Sequence, residues 1–452
     1  MKAFNPATGR LIREYPEHSP EDARRLVDRA AAAFPGWRDL PTESRAPLLR
    51  ASAAVLRARR GELAALMTDE MGKTLAAAGA EIDKCALCCD WFADHAAAYL
   101  GARTAPTDAS SSYVRYDPLG VVLAVMPWNF PFWQVFRCAA PALMAGNVVV
   151  LKHASSVPGS ALAIEGLFRE AGLPEGTFTS LLVPAGAVGP LIDHPAVRAV
   201  SLTGSEAAGM LVAARAGAAL KKTVLELGGS DPFIVLADAD PVRSAAEAAA
   251  ARVVNNGQSC IAAKRFIVEA PIAEAFESAF AERMGALRVG DPRAPETEVG
   301  PLARADLVET LERQVAETRA AGARLLTGGT RLPGPGYFYP PTVLADVVPG
   351  MPAFDQETFG PVAAITRARD ADHAVALANA SRYGLGASVW TRDPRRGEAL
   401  AERLESGSVF INGAVRSDPR LPFGGVKQSG YGRELAEEGI REFVNIKTVW
   451  VK

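Results

Sequence analysis

Val121-Val122-Leu123-Ala124-Val125-Met126 is a short apolar run that stops at Pro127-Trp128-Asn129-Phe130-Pro131. A run this brief, rich in β-branched residues and closed by proline, reads as a buried strand. Working outward, the same pattern recurs at Val148–Leu151, Thr179–Val183, Ala199–Leu202 and Thr223–Leu225, with helical stretches such as Ser160–Ala171 between them. This β-α alternation predicts an open parallel sheet with helices on both faces. Ligands of such sheets bind beyond the carboxyl ends of the strands. Trp128-Asn129, Lys152-His153 and Thr203-Gly204-Ser205 all fall at those ends, so one crevice can hold all three.

The second half resumes the α/β character. Helices are expected over Ala273–Leu287, Arg304–Gly322, Ala371–Ser381 and Arg395–Glu405, and strands near Phe266–Val268 and Ala387–Trp390. A chain of 452 residues is too long for one hydrophobic core, so two or three domains are expected. The boundary falls near Gly228-Gly229, which leaves Glu226 and Cys260 on either side of a junction, as interdomain sites often are. Near the start, Asn5-Pro6-Ala7-Thr8-Gly9 reads as a turn between short strands. Ser19-Pro20 then opens a helix, with serine as N-cap and proline at the first helical position. Helical spacing continues to about Leu100. Ser111–Asp117 alternates loosely and fits part of an extended hairpin.

Apolar residues make up 49% and charged residues 22% of the chain, as in an ordinary globular protein. A formal net charge of −2 gives no reason to expect nucleic acid or an anionic membrane as partner. The apolar stretches are too short to span a bilayer, and the first residues carry no apolar signal core. Five cysteines in so long a chain do not form a disulfide framework, so a reducing cytoplasm is expected. Cys85, Cys88 and Cys89 lie on a helical run with His95. No second cysteine pair completes a zinc set, and small side chains packed on a helix is the plainer reading. No metal is expected.

Cys260 ends the stretch Asn255-Asn256-Gly257-Gln258-Ser259-Cys260. Gly257 lets the chain bend sharply and leave the sulfur exposed, whereas a cysteine met alone is more often a small buried hydrophobe. A cysteine and a glutamate with no evident histidine partner suggest thiolate chemistry followed by base-assisted hydrolysis. Gly204-Ser205-Glu206-Ala207-Ala208-Gly209 lacks the dinucleotide fingerprint of glycines at positions one, three and six. Its glycines still allow a cofactor to approach a helix N-terminus, where backbone N–H groups favour phosphate; a tight structural turn is the alternative. Asn129 has its own plain reading, a side chain capping its turn, and Lys152 could be an ordinary strand-end lysine.

Taken with Lys152, Thr203-Gly204-Ser205 and Glu357-Thr358-Phe359-Gly360-Pro361, the asparagine and cysteine stretches resemble the aldehyde dehydrogenase superfamily across nearly the whole chain. The resemblance implies two open parallel-sheet domains, a Rossmann-like cofactor domain (1–99 and 119–227) and a catalytic domain (228–430). Residues 100–118 and 431–452 would form a small β oligomerisation arm. A homodimer or homotetramer is expected, since edge strands need cover. By the same resemblance, Cys260 attacks the aldehyde carbon and Asn129 with the Cys260 backbone N–H holds the oxyanion. Hydride leaves to the nicotinamide, and Glu226 activates the water that hydrolyses the thioester. Lys152, Gly204, Ser205, Gly209, Glu357 and Phe359 match cofactor contacts, and Trp128 joins them.

Trp133-Gln134-Val135-Phe136-Arg137 and Lys152-His153-Ala154-Ser155 look like the succinate-semialdehyde dehydrogenase branch. That likeness implies Arg137 as the partner of the substrate's far carboxylate, with Trp133, Ser417 and Phe423 around it. A guanidinium fork suits a carboxylate geometrically. One departure stands out: some members carry a second arginine six positions before the cysteine, where this chain has Val254, and Arg416 is a candidate substitute. Cofactor choice turns on Ser155. Many NAD-preferring relatives carry a glutamate there, which would repel the 2′-phosphate of NADP. An uncharged serine, with Lys152 nearby and His153 too if it turns inward, implies that NADP is accepted at least comparably with NAD. The alternatives are an aldehyde dehydrogenase for another small aliphatic or aromatic aldehyde, a catalytically silent nucleotide-binding protein, and a cysteine hydrolase, which would need a histidine base.

Overall fold

The computed structural model describes residues 1–452. Val121–Met126 is the strand its composition predicts, and it lies inside a six-stranded sheet. In spatial order the strands are Gly430–Tyr431, Lys222–Glu226, Val197–Thr203, Val121–Met126, Val148–His153 and Phe178–Leu181. All neighbours are parallel except the short Gly430–Tyr431 edge. The chain starts in the middle, steps outward through two strands, then crosses back to the other side of its starting strand. That reversal opens a crevice between Val121–Met126 and Val197–Thr203, where doubly wound sheets place their ligands.

The strands end where the sequence turns polar. Asn147 helps fix the start of this sheet: its side-chain oxygen accepts from the N–H groups of Leu119 (2.8 Å) and Gly120 (3.0 Å). Its amide nitrogen donates to the Phe443 carbonyl at 2.9 Å, tying the beginning of the sheet to the end of the chain. Helices Pro20–Asp39 and Leu75–Tyr99 cover this half. Ser19 caps the first, its hydroxyl accepting from the Asp22 N–H, and Pro20 stands at its first turn. Cys85, Cys88 and Cys89 are fully buried on the second, where burial pushes each thiol up.

A second sheet has seven strands, in the order Arg324–Thr327, Thr342–Ala345, Val362–Ala368, Arg265–Glu269, Pro232–Val235, Gly386–Trp390 and Ser408–Ile411. Only the outermost Arg324–Thr327 runs antiparallel. Strand alternation splits the core into two layers: Phe233 and Val235 face one, Ile234 and Leu236 the other. The helix expected to reach Glu405 stops at Ala401. Asn379 accounts for the difference, because its side chain binds the Arg403 carbonyl and the Glu405 N–H in place of continued helical bonding.

The last parallel strand of the first sheet ends at Glu226, and the first strand of the second begins at Pro232. The three-stranded arm pairs Ser111–Pro118 with Arg103–Thr104 on one side and Val444–Val451 on the other, both antiparallel. No helix is long and apolar enough to cross a membrane.

Candidate active site

A cavity of about 240 Å³ opens where the two sheets face each other. Its wall brings together Trp128, Asn129, Gly204, Ser205 and Cys260 with Glu357 and Phe359 from the second half. The first four follow the strand ends Met126 and Thr203, at the crevice the sheet reversal creates. Trp128 and Phe359 meet edge to face, with ring centroids 5.7 Å apart.

The loop before Cys260 takes an uncommon backbone path. Asn255 and Asn256 both sit in the left-handed region, at φ 55° and 57°, and Gly257 follows at 75°. Asparagine tolerates that region better than most residues, and its amide secures the turn here. Asn255 donates to the Asn129 carbonyl at 2.7 Å, and Asn256 donates to those of Gly72 and Pro301. A β-carbon on Gly257 would lie 2.4 Å from the Gly360 carbonyl carbon, so the loop packs directly on the segment carrying Glu357 and Phe359. Lys264, fully buried, donates to the Ser259 and Cys260 carbonyls at 2.9 Å each and lies 3.4 Å from Glu357. Arg252 reaches the same loop through the Gly257 carbonyl at 2.7 Å.

Burial pushes the Cys260 thiol up to about 12, although the charges of Arg137 and Lys264 oppose the shift. The thiolate is the nucleophilic form, so positive charge near the sulfur favours attack. Asn129 donates one amide hydrogen to the Gln258 carbonyl at 3.0 Å, which leaves its second N–H for the cavity.

Glu226 stands behind this wall. It is 2% exposed, and neither carboxylate oxygen has a hydrogen-bond partner. Burial raises its pKa well above the ordinary range, and Arg137 opposes this. A buried carboxyl group without partners is costly; one aimed at a reaction site is a candidate for proton transfer.

Lys152, Ser155, Gly209, Trp133, Arg137, Ser417 and Phe423 do not line this cavity. Lys152 is buried at a strand end, and burial lowers its pKa. Ser155 is exposed in the following turn. His153 does not turn inward. One ring nitrogen accepts from the Ala154 N–H and the other lies 2.8 Å from the Pro131 carbonyl, so the imidazole faces the protein. Burial lowers its pKa to about 4, and it adds no positive potential near neutral pH. Gly209 is required by packing, since a β-carbon there would meet Leu227 at 2.6 Å.

Arg137 is not a free fork. It is buried and ion-paired with Glu434, with its guanidinium carbon 4.5 Å from the Phe423 ring centroid and one nitrogen 3.4 Å from the Thr203 hydroxyl. A buried guanidinium demands such a counter-charge. Val254 and Arg416 are both exposed. Trp133 and Ser417 are buried, and the Trp133 indole donates to the Ser417 hydroxyl at 3.1 Å.

The sequence reading missed Glu434, Lys264, Arg252 and the cavity-lining Arg304, which stacks 5.3 Å over Trp128. Glu434 and Arg304 meet the site across a long sequence separation, whereas Lys264 and Arg252 are near Cys260 in sequence but act on backbone carbonyls, which no local motif flags.

The cavity and its surroundings fit a dinucleotide. The wall joins a strand-to-helix turn capped by Ser205, whose hydroxyl accepts from the Ala208 N–H, to two aromatic faces and an acidic residue, Glu357. Comparisons with known proteins agree with this architecture. The chain is 52% identical over 451 residues to succinate-semialdehyde dehydrogenase (NADP(+)) 1 of Mycobacterium ulcerans, covering 99% of this chain and 98% of that protein. It is 50% identical over 448 residues to the succinate semialdehyde dehydrogenase (NAD(P)+) of Escherichia coli, covering 99% and 97% respectively. Among solved structures, the succinic semialdehyde dehydrogenase of Streptococcus pyogenes in complex with NADP+ superposes with a TM-score of 0.97 at 37% identity, over 100% of this chain and 99% of that one. The family model described as aldehyde dehydrogenase matches residues 1–449, and this chain belongs to the aldehyde dehydrogenase family.

Proposed function

We propose that this protein oxidises succinate semialdehyde to succinate with NADP or NAD as the hydride acceptor. The observation that carries the reading is the convergence, at one interdomain cavity, of a partly exposed cysteine and a free asparagine N–H, with a partnerless buried glutamate behind them. Relatives at about 50% identity carry that activity in their names.

Cys260 Sγ, as the thiolate, attacks the aldehyde carbon. The free Asn129 N–H and the Cys260 backbone N–H hold the oxygen as it becomes negative, and losing one such donor typically costs about 3 kcal/mol. A bound nicotinamide dinucleotide supplies the acceptor for the hydride whose loss leaves an acyl thioester on Cys260. Glu226 then takes a proton from the water that hydrolyses the thioester. A glutamate in that place favours water and disfavours coenzyme A as the acceptor.

Lys152 and Ser155 hold the adenosine ribose or its phosphate, and Gly204, Ser205 and Gly209 let the pyrophosphate approach the helix N-terminus. Glu357 holds the nicotinamide ribose, with Trp128 and Phe359 beside the ring. Trp133, Arg137, Ser417 and Phe423 surround the substrate's far end. Residues 1–99 and 119–227 form the cofactor domain and 228–430 the catalytic domain. The arm, 100–118 and 431–452, joins copies into a homodimer or homotetramer: Ile446 and Trp450 are 63% and 48% exposed on its edge. Five free thiols suit a reducing cytoplasm.

The test is a set of initial rates for succinate semialdehyde and butanal, an uncharged aldehyde of the same chain length, with both cofactors. A kcat/KM for succinate semialdehyde well above that for butanal supports the reading. Equal values overturn it.

A further inference from the structure

Ser417 sits between two donors. Lys84 Nζ donates to its hydroxyl oxygen at 2.7 Å, and the Trp133 indole N–H donates at 3.1 Å. The same ammonium lies 4.2 Å from the Trp133 ring centroid. An oxygen that accepts twice still has its own O–H to give, and Ser417 donates it to nothing within the chain. Lys84 has hydrogens to spare and no carboxylate partner. Two donors of this kind, one of them cationic, are fixed side by side with no anion between them.

On the function proposed above this is the substrate end of the site, and Trp133 adjoins Gln134, which lines the cavity. Trp133 and Arg137 are one turn apart on helix Trp133–Met144 and therefore share a face. Arg137 reaches the hydroxyl of Thr203, a cavity-lining residue, at 3.4 Å, and its charge acts both on Cys260 and on Lys84. Arg137 is already neutralised by Glu434. Lys84 is not, and burial together with the Arg137 charge lowers its pKa to about 8. An unpaired ammonium, partly buried beside another cation, is a site that an incoming carboxylate relieves.

We infer that Lys84, held by Ser417 over Trp133, binds the far carboxylate of a dicarboxylic semialdehyde directly and is the principal determinant of preference for a charged substrate. The inference rests on the proposed function above. Lys84 takes the place of the second arginine that position 254 lacks, and it does so from a different element, helix Leu75–Tyr99. The Ser417 O–H supplies the second hydrogen bond to the carboxylate. Arg137, spoken for by Glu434, sets the potential around it.

The experiment compares wild type with Lys84→Met, which keeps most of the aliphatic stem, and Lys84→Arg, which keeps the charge. Each is assayed with succinate semialdehyde and with butanal. Loss of a charged hydrogen-bonded contact is expected to raise the KM for succinate semialdehyde roughly 10- to 150-fold in Lys84→Met. The KM for butanal should stay within about threefold, because no charged contact is lost there, and Lys84→Arg should recover much of the preference. If Lys84→Met keeps the wild-type ratio of the two KM values, Lys84 is not the contact, although the proposed function stands. If wild type itself does not prefer succinate semialdehyde, the proposed function falls and this inference falls with it. Should Lys84→Met fail to accumulate as folded enzyme, Lys84→Gln carries the same comparison, since it keeps a hydrogen bond to Ser417 without the charge.

Discussion

Glu226 leans its carboxylate against Gly424: a β-carbon added to that glycine would lie 2.8 Å from Oε1. The close approach leaves the carboxylate room in a wall that is otherwise tightly packed, with neither oxygen tied down. Glu226→Gln keeps the shape and removes the base. It should form the acyl-enzyme, release one burst of reduced cofactor per site, and then turn over roughly 10²- to 10⁴-fold more slowly. Stopped-flow absorbance of the reduced cofactor checks this, and a wild-type steady-state rate would remove Glu226 from its role.

Arg137 faces Glu434 directly and acts on Glu226 and Cys260 through its charge. Arg137→Ala strands a buried carboxyl and withdraws a charge that favours the Cys260 thiolate. Its kcat/KM should fall for butanal as well as for succinate semialdehyde, each by 10-fold or more on the scale of about 1.4 kcal/mol per decade. The butanal arm separates this role from a direct carboxylate contact. If butanal oxidation is untouched, Arg137 serves the charged substrate alone.

The pH dependence of substrate preference has a defined sign. Lys84 is charged below its pKa of about 8 and neutral above it. The groups that act on it are Arg137 from helix Trp133–Met144 and Cys85, Cys88 and Glu81 from its own helix, with Ser417 as its hydrogen-bond partner. Both thiols are pushed up by burial and stay neutral through this range. The KM for succinate semialdehyde should therefore rise as pH climbs through about 8, while the KM for butanal, which makes no ionic contact, does not follow. Taking the ratio of the two removes the pH dependence of Cys260 and Glu226. A ratio that stays flat from neutral to strongly alkaline pH would contradict this.

Cofactor choice should respond to Ser155, exposed beyond the strand that ends at His153. Ser155→Glu adds a negative charge where a 2′-phosphate would sit. At about 4 Å and an effective dielectric near 20, each unit of like charge costs about 4 kcal/mol before screening. The variant should lose NADP turnover far more than NAD turnover, read as kcat/KM for each. In the unmodified enzyme, a hundredfold preference for NAD would contradict the serine-based reading.

What the sequence made legible follows from how local each signal is. Val121–Met126 could be placed because six apolar residues between Gly120 and Pro127 suit little but a strand. Asn129 and Gly204-Ser205, which line the cavity, were legible because each follows such a strand end. Glu226 and Cys260 came from their neighbours in sequence. Lys84 carried no signal of its own, since one lysine in an alanine-rich helix resembles any solvated residue, and its partner Ser417 is 333 positions away. Glu434 was invisible for the same reason. His153 misled for the opposite reason: its position beside Lys152 suggested a cation, but a carbonyl and an N–H already satisfy its ring.

The edge strand Gly430–Tyr431 and the closing strand Val444–Val451 are the final pieces of structures begun more than three hundred residues earlier. On the ribosome, the first sheet therefore emerges with its Lys222–Glu226 edge uncovered and strand Ser111–Pro118 of the arm paired on one side only, and it stays so until Gly430–Tyr431 and Val444–Val451 have been made. Contacts of such long sequence separation form slowly, and unpaired strand edges in waiting intermediates invite aggregation. Deleting the last nine residues should thus lower the yield of soluble protein more than the activity of the molecules that do fold. Synthesis of this enzyme has a late hazard, when Val444–Val451 must find Ser111–Pro118, a strand laid down far earlier in the chain.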